Sequence, residues 1–192
     1  MNTNSYTIVI TGLGGQGLIR FLQILGFGLV QKGYKVITSE KHGLSQRGGK
    51  ITCFLRFGEK IAAPIPIIGS ADMIIATEKA SILDVLEFTK PDRSSKLVIA
   101  TYEKKSHSSE YPSEEYLLKA LNENSDHINF VPVLQIIAKF RDLKIINTVI
   151  LGYILRFLPI NEEDIKESIN HHFIKDLSVL NQKVLEEGIE LK

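Results

Sequence analysis

A chain of 192 residues is long enough for one domain with a sizeable core and too short for two comfortable ones. Apolar residues make up 44% and charged residues 23%, and the 23 Lys and Arg nearly cancel the 22 Asp and Glu, which argues against a nucleic-acid or anionic-membrane surface. The single cysteine, Cys53, excludes an internal disulfide and an iron–sulfur cluster held by this chain alone; no Cys/His set has zinc spacing, so no metal site is expected.

The opening stretch "MNTNSYTIVI" has no basic region and quickly reaches apolar β-branched residues, so a secretion signal is not expected and the protein reads as cytoplasmic. Residues 7–11 predict a first strand, and a glycine loop follows it. From Leu18, apolar residues recur at Phe21, Leu22, Leu25, Leu29 and Val30, a helical spacing that Gly33 ends. "YKVITSE" predicts a second strand, and the aperiodic "KHGLSQRGGK" a loop. Residues 51–57 alternate as a strand that "FGEKI" turns back, which predicts a hairpin. Pro64 and Pro66 mark an irregular connection, "SADMIIATE" a core strand, and 79–88 a helix. "SKLVIATY" follows the turn signal "KPDRSS" as a further strand. The polar "EKKSHSSEYPSEE" reads as a solvated excursion, Ser113 as the N-cap of a helix through Leu121, and "INFVPV" as the last short strand.

The remainder is helix-rich. Residues 145–158 are too short to span a bilayer and carry Asn147, Thr148 and Arg156, so they predict a buried core helix. Asn161 with Glu162, Glu163 and Asp164 predicts another helix start. The adjacent His171 and His172 point in different directions on a helix and form no metal pair. Strands alternating with helices predict one α/β domain over 1–192: a three-layer α/β/α arrangement, a mainly parallel mixed sheet, a Rossmann-like first βα unit and a helical C-terminal part.

The stretch "ITGLGGQGLI" carries the chemistry. Gly12, Gly14 and Gly17 fit G-x-G-x-x-G between a strand and a helix, the pattern that lets a pyrophosphate approach a helix N-terminus. Glu40, 23 residues past Gly17, has the offset of the acidic ribose ligand in dinucleotide-binding units. Against that reading, a glycine-rich loop and a hairpin follow the second strand where a helix should, and Gly15 with Gln16 makes the loop barer than the pattern needs. Close packing of helix on strand, without any ligand, explains the same glycines.

Taken together, Gly12-Leu13-Gly14-Gly15-Gln16-Gly17 and "TSEKHGLSQRGGKITCFLRFGE" resemble the γ subunit or γ domain of the 2-oxoacid:ferredoxin oxidoreductases, most closely the β subunit of the indolepyruvate type. The similarity continues through "GSADMIIATE" to "NTVILG", residues 147–152. The resemblance implies an enzyme that decarboxylates a 2-oxoacid on thiamine diphosphate, passes electrons through iron–sulfur clusters to ferredoxin and yields an acyl-CoA. It implies that a partner subunit carries the thiamine diphosphate and the clusters. This chain would complete the assembly, contribute to the CoA side of the site, supply no catalytic residue and be inactive alone. Backbone N–H groups of Gly14, Gly15, Gln16 and Gly17, with Gly12 making the turn, suit a CoA phosphate or a partner backbone. Arg47 suits a second phosphate, and His42 and Ser45 suit a carbonyl or a partner subunit. A stand-alone NAD(P)- or FAD-binding oxidoreductase and a pure assembly module are the alternative readings.

Overall fold

A computed structural model of the chain describes residues 5–42, 49–104 and 110–191, with only the backbone for His42. Six strands form one sheet in the order β2-β3-β1-β4-β5-β6. They are β1 (Tyr6–Leu13), β2 (Lys35–His42), β3 (Lys50–Gly58), β4 (Met73–Ala76), β5 (Lys96–Ala100) and β6 (His127–Val131). β1, β4, β5 and β6 run parallel, whereas β3 lies antiparallel to both β1 and β2. The mixed, mainly parallel sheet of the sequence reading is therefore present.

Strand alternation splits the core between the two faces of the sheet. Ile8, Ile10, Cys53 and Leu55 join the cluster under helix α1 (Leu18–Gln31), and Val9, Phe54, Ile74 and Leu97 join the cluster under a 3-10 helix (Lys79–Phe88) and α2 (Glu114–Asn124). The first face also takes the C-terminal helices: α3 (Val133–Phe140), α4 (Ile146–Ile154), α5 (Glu162–His172) and α6 (Lys175–Glu190). Every residue of α4 is buried, as its continuous apolar run required. Among the described residues no helix is long and apolar enough to cross a membrane.

The predicted caps hold. The Ser113 side chain accepts from the Tyr116 N–H, and Asn161 forms a reciprocal capping box with Asp164. Gly33, with φ 86°, ends α1. Helices α4 and α6 approach until their backbones nearly touch. A Cβ on Gly188 would strike the Val149 carbonyl, and one on Gly152 would strike the Leu185 carbonyl and lie 2.9 Å from the Ile189 nitrogen.

Three expectations are corrected. The hairpin is not made by "FGEKI" turning β3 back; β3 is itself the return strand, pairing β2 on one side and β1 on the other. The chain after Gly58 contains Pro64 and Pro66, which supply no N–H for a further ladder, and it forms no strand before β4. β2 also runs two residues further than expected, through Lys41 and His42, because β3 is there to pair with them. Finally, the 102–111 excursion is not simply solvated. Its Tyr111 hydroxyl donates to the buried Glu78 at 2.6 Å, and its Tyr102 carbonyl accepts from the Lys79 N–H at 2.8 Å. Residues 105–109 of it lie outside the described residues.

Candidate functional site

The sheet grows from β1 in two directions, through β3 and β2 on one side and through β4 to β6 on the other. The crossover after β1 passes α1 over one face, and the connection after β4 passes the 3-10 helix over the other. The carboxyl ends of β1 and β4 therefore flank a topological switch point, where open α/β sheets place their ligands. The glycine loop leaves β1 at this point.

Hydrogen bonds fix the loop in detail. The Gly14 N–H donates to the Gly49 carbonyl at 2.8 Å, and the Gln16 N–H closes a turn onto the Leu13 carbonyl at 3.2 Å. The Gln16 carboxamide then reaches across the switch point. Its Oε1 accepts from the Leu13 N–H at 2.7 Å and from the Thr77 hydroxyl at 2.8 Å, and its Nε2 lies 3.4 Å from the Thr77 carbonyl. Gln16 thus ties the β1–α1 loop to the end of β4, and its side-chain oxygen is already engaged twice within the chain.

Gly15 and Gly17 have φ of 92° and 80°, a region that L side chains rarely adopt. Gly15 is exposed, and a Cβ on it would have nothing within 4 Å among the described residues. Gly17 is the N-cap of α1 and provides no side-chain cap; the first helical bond is from Phe21 N–H to the Gly17 carbonyl at 3.0 Å. Among the described residues the N–H groups of Gly15 and Gly17 have no hydrogen-bond acceptor, and those of Leu18, Ile19 and Arg20 are the unpaired first-turn donors of any α-helix. Oriented N–H groups at an uncapped helix start, with open space before them, make a receptor for an anion or for a carbonyl.

Gly12 is bare for a different reason. A Cβ there would collide with the Thr77 hydroxyl oxygen and sit 2.8 Å from Gln16 Oε1, so Gly12 admits the brace. From the other side Asn147, at the start of α4, donates from Nδ2 to the Gly17 carbonyl at 3.0 Å. Sequence reasoning assigned no role to Thr77 or Asn147. The available signal was polarity at buried positions, since both interrupt apolar runs and are 0% and 5% exposed.

Of the predicted site residues, Gly12, Gly14, Gly15, Gln16 and Gly17 come together in this loop. Ser45, Arg47 and the side chain of His42 lie outside the described residues, although His42 and Gly49, which flank that stretch, stand at the same end of the sheet as the loop. Glu40 does not take the place of a ribose ligand. β3 lies between β1 and β2, leaving Glu40 two strand spacings, about 10 Å, from the strand that carries the glycines. Glu40 instead pairs in register with Cys53 and lines a cleft with Leu22, Phe27, Val36 and His172. Burial first, and then the Glu40 charge, push the Cys53 thiol up to about 12. A thiol so protonated, in the core, is unsuited to metal or redox work.

The family model described as pyruvate ferredoxin/flavodoxin oxidoreductase matches residues 7–191. An indolepyruvate oxidoreductase subunit IorB from Thermococcus kodakarensis is 40% identical over 85 residues, which are 44% of this chain and 42% of that subunit. Two solved structures share the fold. The pyruvate oxidoreductase subunit PORC of Thermotoga maritima aligns with TM-score 0.74 at 20% identity, covering 99% of this chain and 98% of that one. A 2-oxoglutarate:ferredoxin oxidoreductase from Magnetococcus marinus, solved with 2-oxoglutarate, coenzyme A and succinyl-CoA bound, aligns with TM-score 0.74 at 18% identity over 97% of this chain; the match spans 31% of that longer chain.

Proposed function

Because the chain belongs to the pyruvate ferredoxin/flavodoxin oxidoreductase family, we propose that it is the γ-type subunit of a thiamine-diphosphate-dependent 2-oxoacid:ferredoxin oxidoreductase, of the indolepyruvate type. The reaction is oxidative decarboxylation: a 2-oxoacid and CoA give an acyl-CoA and CO2, and two electrons leave to ferredoxin. A partner subunit holds the thiamine diphosphate and the clusters that supply this chemistry. One cysteine, buried and protonated, fits no cluster in this chain.

The observation that carries the reading is the open Gly15–Gly17 turn at the switch point, where, among the described residues, the N–H donors meet no acceptor and no side chain fills the space before them. Such a cradle suits a phosphate of CoA, and the CoA held by the Magnetococcus marinus enzyme supports that choice. In this role Gly15 and Gly17 bind, Gln16, Thr77 and Asn147 hold the turn in shape, and no side chain of this chain moves a proton or an electron. The protein acts in the cytoplasm, where its electron acceptor is found.

Co-expression with a thiamine-diphosphate subunit tests the proposal. The purified complex is expected to reduce ferredoxin in the presence of CoA and an aryl 2-oxoacid, and the chain alone to be colourless and inactive. Turnover by the isolated chain supplied with thiamine diphosphate and ferredoxin would refute the subunit role. A complex equally active without any CoA would refute the role of the loop.

A further inference from the structure

Past its last residue, Ala76, β4 runs straight into the brace: the Thr77 hydroxyl meets Gln16 on the side of the glycine loop. Glu78 continues the extended backbone, with φ −134° and ψ 133°, so its side chain points away from that of Thr77. It is 4% exposed, a carboxylate in the core with no cation on it among the described residues. Three donors hold it instead. Its Oε2 accepts from the Ser81 N–H at 3.0 Å, which caps the 3-10 helix, and its Oε1 accepts from the Tyr111 hydroxyl at 2.6 Å and the Lys104 N–H at 3.3 Å.

Lys104 and Tyr111 stand at the two ends of the connection from β5 to α2, and Lys79 ties the same two ends again. Its N–H donates to the Tyr102 carbonyl at 2.8 Å, and its ammonium pairs with Glu103 at 3.1 Å and with Glu114 at 2.5 Å. The Tyr102 ring packs against the cluster under α1, the face opposite the 3-10 helix. The connection thus crosses the carboxyl edge of the sheet beside β4 and is fastened there. A buried carboxylate without a cation is an unfavourable way to fill a core position, and what it supplies is geometry. An amide cannot copy it, because three donors face its two oxygens and a glutamine would turn its own N–H2 toward one of them. The Tyr111 hydroxyl already receives the Ala80 N–H at 3.1 Å, and among the described residues its proton has no acceptor besides Glu78.

We propose that Glu78 is a positioning residue for CoA binding at the glycine loop: its carboxylate pins both ends of the β5–α2 connection to the exit of β4, and this fixes Thr77 where it holds Gln16. The inference rests on the function proposed above and adds to it a residue that makes no hydrogen bond to the loop. The physical route is short. β4 has four residues, and its register with β1 ends at the Thr11–Ala76 pair, so the residues beyond depend on other contacts for their place. Thr77 donates from its N–H to the Thr11 carbonyl at 3.0 Å and from its hydroxyl to Gln16 Oε1 at 2.8 Å. A shift of the β4 exit therefore displaces the brace and the loop together.

The experiment measures kcat and the KM for CoA in the reconstituted complex, for Glu78→Gln and Tyr111→Phe, each alone and combined with Gln16→Leu. Glu78→Gln is expected to raise the KM for CoA about fivefold, with kcat and the KM for the 2-oxoacid within about twofold of the wild type. Tyr111→Phe removes one donor from the same carboxylate and leaves β4 untouched. It is expected to raise the KM for CoA about threefold, and it carries the test if the glutamine variant does not fold. Combined with Gln16→Leu, either change should add less than about twofold, because both act through one brace. A rise below about twofold in Tyr111→Phe or in a folded Glu78→Gln, even with a lower Tm, would make the clamp structural only and overturn the proposal. Effects that multiply with that of Gln16→Leu would also overturn it, since Glu78 would then not act through the loop. Both results leave the CoA site standing. A wild-type complex equally active without CoA would overturn the role of the loop and that of Glu78 with it.

Discussion

Replacing Gln16 with leucine tests whether the loop is shaped by the brace to Thr77. The substitution keeps the side-chain bulk and removes an oxygen that accepts from the Leu13 N–H at 2.7 Å and from the Thr77 hydroxyl at 2.8 Å. The third contact, at 3.4 Å from Nε2 to the Thr77 carbonyl, is too long to contribute much. Two net hydrogen bonds at about 1 kcal/mol each predict a loss of up to about 2 kcal/mol, because Thr77 is fully buried and its hydroxyl keeps only the long contact to the Thr11 carbonyl at 3.4 Å. In a domain of this size that corresponds to a fall in Tm of roughly 4–8 °C. Gln16→Glu keeps the accepting oxygen but sets a second carboxylate oxygen against the Thr77 carbonyl, so its loss should fall between those of the wild type and leucine. Urea unfolding of the free chain followed by circular dichroism gives the stabilities. CoA-dependent ferredoxin reduction by the reconstituted complex gives the function, where Gln16→Leu should raise the KM for CoA more than it lowers kcat. If leucine costs under about 0.5 kcal/mol, the brace does not hold the loop.

Other outcomes follow from the same geometry. Gly15→Ala meets no atom of the described residues but forces an alanine to φ 92°, so it should lose about 1–2 kcal/mol and reduce CoA-dependent turnover; unchanged turnover and assembly would show a loop bare for its turn alone. Gly188→Ala places a methyl on the Val149 carbonyl, a backbone atom of a buried helix, and should cost about 3 kcal/mol by thermal unfolding; a loss under about 1 kcal/mol would contradict the close α4–α6 contact. Thr11→Val should gain about 1 kcal/mol, because Thr11 Oγ1 is buried with no hydrogen-bond partner among the described residues, and a destabilised variant would mean the hydroxyl is satisfied. The Cys53 thiol, raised from 9.0 to about 12, stays protonated in the folded state while the unfolded thiol ionises near pH 9. Its contribution is therefore intact below pH 9 and declines above it by about 1.4 kcal/mol per pH unit. Cys53→Ala should flatten stability against pH between about 9 and 10, before Tyr6 begins to add its own slope, and identical slopes for variant and wild type would rule the thiol out.

Elements set by local pattern were legible from the residues. The helix after the glycine loop shows its period in Phe21, Leu22, Leu25 and Leu29, and Ser113, Asn161 and Gly33 announce their caps and stop by side-chain chemistry or by its absence. The glycine loop itself was legible for the same reason, since Gly15 and Gly17 stand where the backbone turns left-handed. What the neighbours of a strand would be was not. A strand carries its alternation in its own residues, but its partner is chosen by contacts distant along the chain. The insertion of β3 between β1 and β2 came only with the tertiary structure, and with it the displacement of Glu40 from the glycines. Thr77 and Asn147 belong to the same category. Each is 60 or more residues from the loop it supports, and nothing local in "ATEK" or "IINTVI" tells where its side chain will find a partner. Residue chemistry determined that the turn after β1 would be open; the packing of β4 and α4 against it decided which groups hold it open.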